Sequence, residues 1–140
     1  MEDGTARARL QPDAENRFVR LRAELGVTSF GLNQIVLHAG QRGRIHAHER
    51  QEEVYVVLEG TLTLELEGGE ARELNPRDAA RVGPETRRRL ANRGDTRVVL
   101  LALGGAEPHE GRDGVAYAAW EDEEGRSPQE IPLPPDLPGA

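Results

Sequence analysis

The chain has no cysteine and no lysine, and serine occurs only at Ser29 and Ser127. Without cysteine there can be no disulfide, no zinc–thiolate site and no thiol nucleophile. Without lysine, Schiff-base chemistry and a lysine general base are excluded, since all 18 basic residues are arginine. Neither serine stands in a Gly-x-Ser-x-Gly setting, which argues against a serine hydrolase. No apolar run approaches the length of a membrane span. The acidic start, Met1-Glu2-Asp3-Gly4, is followed by no apolar run of the kind a signal peptide carries. The expectation is a soluble, cytoplasmic protein. A net charge of −7 argues against a general nucleic-acid binder, which needs a basic face to displace counterions. What remains for chemistry is histidine, carboxylate, arginine, tyrosine and a metal.

The length of 140 residues fits one domain. A chain of that size buries roughly 68–70% of its unfolded surface and needs no covalent staple. Residues 1–15 are charged and without periodicity and read as a mobile lead-in. The stretch from Phe18 to Leu25 suits either a short helical turn or an edge strand. From Phe30 onward, strand signals recur with Gly, Pro, Asn and Asp between them: Leu32 to His38, Ile45 to His48, Val54 to Leu58, Thr61 to Glu67, Ala71 to Leu74, Ala79 to Val82, Arg87 to Ala91 and Arg97 to Leu103. Val115 to Trp120 is a further candidate. Val54-Tyr55-Val56-Val57-Leu58 is apolar at every position and suits a strand buried on both faces. Thr61 to Glu67 alternates leucine with threonine or glutamate. Residues 121–140 are acidic and then proline-rich, and should run extended over the surface or over a neighbouring subunit. Short strands at this spacing imply an all-β antiparallel sandwich or barrel with little helix.

His46 and His48 lie two residues apart, so on a strand both point to one face. Glu53, five residues after His48, can bring a carboxylate to the same ion. The alternative is a pair of exposed strand histidines.

Gly40-x5-His46-x-His48-x4-Glu53-x6-Gly60 resembles the first signature of the cupin superfamily, G-x5-H-x-H-x3,4-E-x6-G, at every defined position. The second cupin signature, G-x5-P-x-G-x2-H-x3-N, falls on Arg77 to Asn92. Asn92 fits it. Arg77 and Glu85 stand where glycine is usual, Gly83 stands where proline is (with Pro84 beside it), and Arg88 stands where the fourth, histidine, ligand is expected. The resemblance covers about residues 30 to 103. It implies a small single-domain cupin over residues 16–120: a double-stranded β-helix, or jelly-roll barrel, usually a homodimer. A divalent transition metal (Fe, Mn, Ni, Cu or Zn) would be held deep in the barrel by His46, His48 and Glu53. The superfamily contains oxygenases, isomerases, decarboxylases and metal-free binding proteins, so the fold leaves the function open.

Arginine keeps its proton and has no lone pair for a metal. Strand parity puts Thr86, Arg88 and Leu90 on one face and Arg87 and Arg89 on the other, where they read as solvated charges. A divalent ion about 6 Å from a guanidinium is repelled by on the order of 5 kcal/mol at an effective dielectric near 20. Two arrangements relieve that conflict. In one, no metal binds and Arg88 pairs with Glu53, giving a non-catalytic ligand-binding or sensor barrel. In the other, His46, His48 and Glu53 hold the metal, and Arg88 clamps a small anionic substrate, as a metal-dependent oxygenase or isomerase would require. Tyr55, two positions after Glu53, and His38 are candidate accessory proton donors, although a core tyrosine and a wall histidine explain them equally well. His109 reads as a solvent-facing loop residue.

Overall fold

The computed structural model describes residues 3–106 and 113–139; His109 lies outside them. Ten strands form two five-stranded antiparallel sheets. The strands are β1 (Phe18–Val19), β2 (Gly31–Leu37), β3 (Ile45–His48), β4 (Glu52–Glu59), β5 (Leu62–Leu66), β6 (Ala71–Leu74), β7 (Ala79–Val82), β8 (Arg88–Ala91), β9 (Val98–Gly105) and β10 (Gly114–Tyr117). One sheet runs β1-β2-β9-β4-β7 and the other β10-β3-β8-β5-β6. Successive strands from β2 to β9 mostly cross between the sheets, which is the winding of a double-stranded β-helix. Among the described residues no helix is long and apolar enough to cross a membrane.

The segment from Phe18 to Leu25 is both of the forms its sequence allows. β1 pairs with β2 at its edge, and α1 (Leu21–Leu25) follows at once. Leu21 is the buried residue of that helix, and Gly26 ends it in the left-handed conformation, its N–H donating to the Ala23 and Arg22 carbonyls.

Two glycines of the first signature have a backbone reason to be there. Gly40 and Gly60 both have positive φ, +78° and +76°. A Cβ on Gly60 would also lie 2.3 Å from the Arg97 carbonyl oxygen. In the degenerate second signature, Arg77 keeps the backbone of the glycine it replaces. It is the non-glycine with positive φ among the described residues, at +78°. Asn92 clamps the turn after β8: its Nδ2 donates to the Leu37 and Thr96 carbonyls and its Oδ1 accepts from the Gly94 N–H.

The core lies between the sheets and is built by residues of alternate parity, among them Leu37, Val57, Leu62, Leu64, Val98 and Leu100. β4 is not buried on both faces as its composition suggests. Tyr55 and Val57 are buried, but Val54 and Val56 are half-buried and Leu58 is exposed. Among the described residues the N-terminal segment packs at β2 and at Arg97 beside β9, and leaves that outer face of β4 open. At β2 the buried Gln34 side chain donates to the Gln11 carbonyl and accepts from its N–H. The tail docks on its own barrel: Arg42 donates to the Pro135 carbonyl, Arg44 Nε to that of Ile131, and the Leu137 N–H to that of Gly40. Ile131 is buried by this docking.

Candidate metal centre

β3 brings His46 and His48 to the inner face, and β4 brings Glu53 to meet them across the barrel. Their ligand atoms all lie within 4.8 Å of one another. His46 Nε2 is 3.2 Å and His48 Nε2 3.3 Å from Glu53 Oε1. Ligand atoms each about 2.1 Å from one ion stand roughly 3.0–3.4 Å apart, so the residues present fit a metal.

The far side of each imidazole is held by an acceptor. His46 Nδ1 is 3.2 Å from the Arg44 carbonyl oxygen. His48 Nδ1 is 2.8 Å from Asp113 Oδ1. Neither a carbonyl nor a carboxylate can donate, so in a neutral imidazole each Nδ1 carries the proton and each Nε2 turns its lone pair toward Glu53 Oε1, 3.2 Å away for His46. His48 Nε2 is buried and makes no aligned hydrogen bond despite its closeness to Glu53. Lone pairs aimed at a carboxylate oxygen repel it unless a cation, whether proton or metal, lies among them.

Arg87 and Arg89, on the outer face of β8, are half-buried rather than solvated, Arg87 donating to the Trp120 and Asp122 carbonyls and Arg89 to Glu65. Arg88 is directly cross-strand from His46, as strand parity requires. Its side chain has no exposed surface. Nη2 donates to Glu53 Oε1 at 2.6 Å, and Nε lies 3.3 Å from the Tyr55 hydroxyl. Nη1 is ringed by the carbonyl oxygens of Gly83, Pro84 and Thr86, at 3.2, 3.4 and 2.8 Å. The β7–β8 turn thus wraps the guanidinium in acceptors. The guanidinium is paired with Glu53 and has no exposed surface. Tyr55 donates to the same Oε1 at 2.5 Å. It lines the cavity wall yet is almost wholly buried. His38 is exposed just beyond β2 and is not brought to the cluster.

These contacts set the protonation of the centre. Burial pushes the Glu53 carboxyl up, but His46, His48 and Arg88 outweigh it and hold the group well below the usual carboxylate range. Burial pushes His48 down, and the Glu53 and Asp113 carboxylates more than reverse this, leaving its pKa raised. Burial, reinforced by the Glu53 charge, takes the Tyr55 phenol well above 10.

Asp113 was not foreseen from sequence. Its carboxylate is buried and accepts from His48 Nδ1, from the Arg50 and Gln51 N–H groups and from Gln51 Nε2. Burial tends to raise its pKa, but the Arg50 N–H, His48 and the Gln51 N–H lower it on balance, so it is ionised beside the imidazole. Asp113 immediately precedes β10, whose Gly114 is paired with His48. No motif spacing signals a partner 65 residues away in the chain.

Two cavities, of about 290 and 370 Å³, meet at the cluster and share Asn33, His48, Glu53 and Ala102. Arg20 and Arg22 line the first; Arg44, Pro128 and Gln129 line the second.

The Cupin domain family matches residues 33–104. No sequence among the curated proteins matches the chain. Among solved structures, the chain is similar to a cupin protein from Bacteroides fragilis (TM-score 0.64, 24% identity, covering 77% of this chain and 90% of that one). It is also similar to a sugar phosphate isomerase of the cupin superfamily from Silicibacter pomeroyi (TM-score 0.61, 27% identity), the match covering 71% of this chain and 62% of that one. A third similar structure is KdgF from a Halomonas species (TM-score 0.51, 26% identity, 59% of this chain and 71% of that one). With its first signature complete, its strands wound as a double-stranded β-helix and the family match spanning half its length, the chain belongs to the Cupin domain family.

Proposed function

We propose that this cupin binds one divalent transition metal through His46 Nε2, His48 Nε2 and the Glu53 carboxylate, and turns over a small anionic molecule as an oxygenase or isomerase. The observation that carries the reading is the pair of imidazoles whose Nδ1 atoms are both held by acceptors while both Nε2 atoms converge on Glu53. That is the arrangement of metal-ligating histidines, with the outer partner fixing the tautomer and raising ligand basicity. A bound ion would supply Lewis acidity and open positions for substrate. The protein's own part is orientation: Asp113 and the Arg44 carbonyl aim the imidazoles, and Arg88 and Tyr55 hold Glu53 in place. Similarity to a sugar phosphate isomerase is compatible with an anionic substrate.

One observation favours a second reading. Glu53 Oε1 already accepts from Arg88 and Tyr55, so the carboxylate is satisfied without a metal. On that reading His48 is protonated between Glu53 and Asp113, and the barrel is a ligand-binding protein. Elemental analysis of protein purified without a metal-affinity tag separates the two. Near-stoichiometric metal, together with a rise in melting temperature when it is restored to stripped protein, supports the first. Absence of metal, with no thermal shift on adding iron, manganese, nickel, copper or zinc, establishes the second.

A further inference from the structure

We infer that Arg20 and Arg22 form an anion-recognition subsite in the cavity that Glu53 and His48 also line. The inference rests on reading this cavity as a small-molecule site, but not on the metal. On the inner face, Glu53 of β4 is paired with Gly104 of β9, and Gly104 with Gly31 of β2. Crossing the sheet from Glu53 therefore meets two glycines in succession, with the Gln51 side chain lying over the first and backbone only near the second. Two strand spacings make that path about 10 Å long. Gly31, Gly104, His48 and Glu53 all line the cavity of about 290 Å³, and Arg20 and Arg22 line it as well.

The two arginines are placed for this role. Val19 is paired with Gln34, so Arg20 is the first residue beyond an anchored strand. Leu21, between them, is buried, and its insertion sets one arginine on either side. Their backbones are thus fixed, while their guanidiniums make no hydrogen bond or ion pair with the described residues. Arg44, Arg87, Arg88, Arg89 and Arg97, by contrast, are all engaged by protein acceptors. Unpaired guanidiniums at a cavity wall suit a phosphate or carboxylate, which they bind with charge-assisted, planar hydrogen bonds. The occupant is a small molecule about 10 Å long. Its anionic group lies against α1 and its other end at His48 and Glu53. The anion-clamping role that arginine chemistry offers Arg88 passes in this proposal to these residues, since Arg88 is buried against Glu53.

The test is an NMR titration of the full chain with inorganic phosphate and, separately, with malonate, following the arginine Nε–Hε signals with and without added zinc. The expected result is a saturable shift of the Arg20 and Arg22 signals. R20Q/R22Q should weaken that binding at least about 10-fold, which corresponds to about 1.4 kcal/mol. R7Q/R9Q removes the same charge from two other exposed arginines, outside the cavity lining, and should leave it unchanged. A preference for phosphate or for malonate identifies the anion. The inference is overturned if neither anion gives a saturable shift, or if R7Q/R9Q weakens binding as much as R20Q/R22Q. Anion binding without zinc binding would leave this inference standing; zinc binding without anion binding would overturn it and leave the metal reading standing.

Discussion

Within one barrel, β4 runs from a charged centre to a hydrocarbon core in two steps. Its inward side chains are Glu53, Tyr55 and Val57: a carboxylate, a phenol that bonds it, and a buried valine. β8 makes the same change from Arg88 to Leu90. At the apolar end, Leu62, Val98 and Leu100 close the barrel with no exposed surface. At the charged end, Gly31 and Gly104 leave room, and the cavities open. The strands and their pairing are common to both ends. Only side-chain polarity and size differ, and that is enough to make one end a packed core and the other a site.

Removing the carboxylate should separate the two ends most sharply. Glu53→Ala leaves the Arg88 guanidinium buried without its counter-ion, a change of about 3–5 kcal/mol. It should also abolish metal binding. Urea unfolding with a parallel metal titration checks both, and retention of wild-type metal affinity would show that Glu53 is not a ligand. Leu100→Ala, at the apolar end, should destabilise by about 2–5 kcal/mol through the cavity it leaves. Metal stoichiometry should be untouched, and a loss there would mean the two ends are not independent. Asp113→Asn should lower metal affinity about 10- to 100-fold by loosening the His48 tautomer. The same variant should alter the His48 ¹⁵N shifts even without metal, a signature that simple loss of stability would not produce.

Arg77→Gly, in the turn whose backbone bonds Val57, relieves a left-handed backbone and should stabilise by about 1 kcal/mol. A melting temperature that falls would mean the Arg77 side chain has a role of its own. The smallest effect concerns pH. The raised pKa of His48 gives metal-free protein a contribution that is full below the unfolded value near 6.5 and fades as pH rises through the folded one. Glu53 works oppositely: its depressed pKa gives a contribution present above about 4.3 and lost on acidification through the folded value. Stripped protein should therefore be somewhat more thermostable near pH 6 than near pH 8, and added metal should reverse the order. A flat profile in His48→Gln assigns the effect.

Much of the centre was readable from spacing, because the information is local. A period of two suffices to put His46 and His48 on one face, and both signature glycines mark turns that need positive φ. The same parity carried Arg88 inward beside Leu90. What spacing could not supply was the partner of each group. The carbonyl ring around Arg88 exists because the β7–β8 turn folds back over its own strand. Asp113 reaches His48 only because β10 is added beside β3. The open outer face of β4 was equally hidden, since an apolar strand has the same composition whether or not a second layer covers it.

The order of the strands, their faces and the three prospective ligands were determined by residue type and alternation along the chain. Cross-strand register decided the rest. It buried Arg88 against Glu53, and it set Gly104 and Gly31 in succession beside Glu53 across the sheet. The physical reason is distance along the chain. Alternation acts over neighbouring residues, whereas pairing partners such as Gly31 and Gly104 are brought together only when the sheet closes.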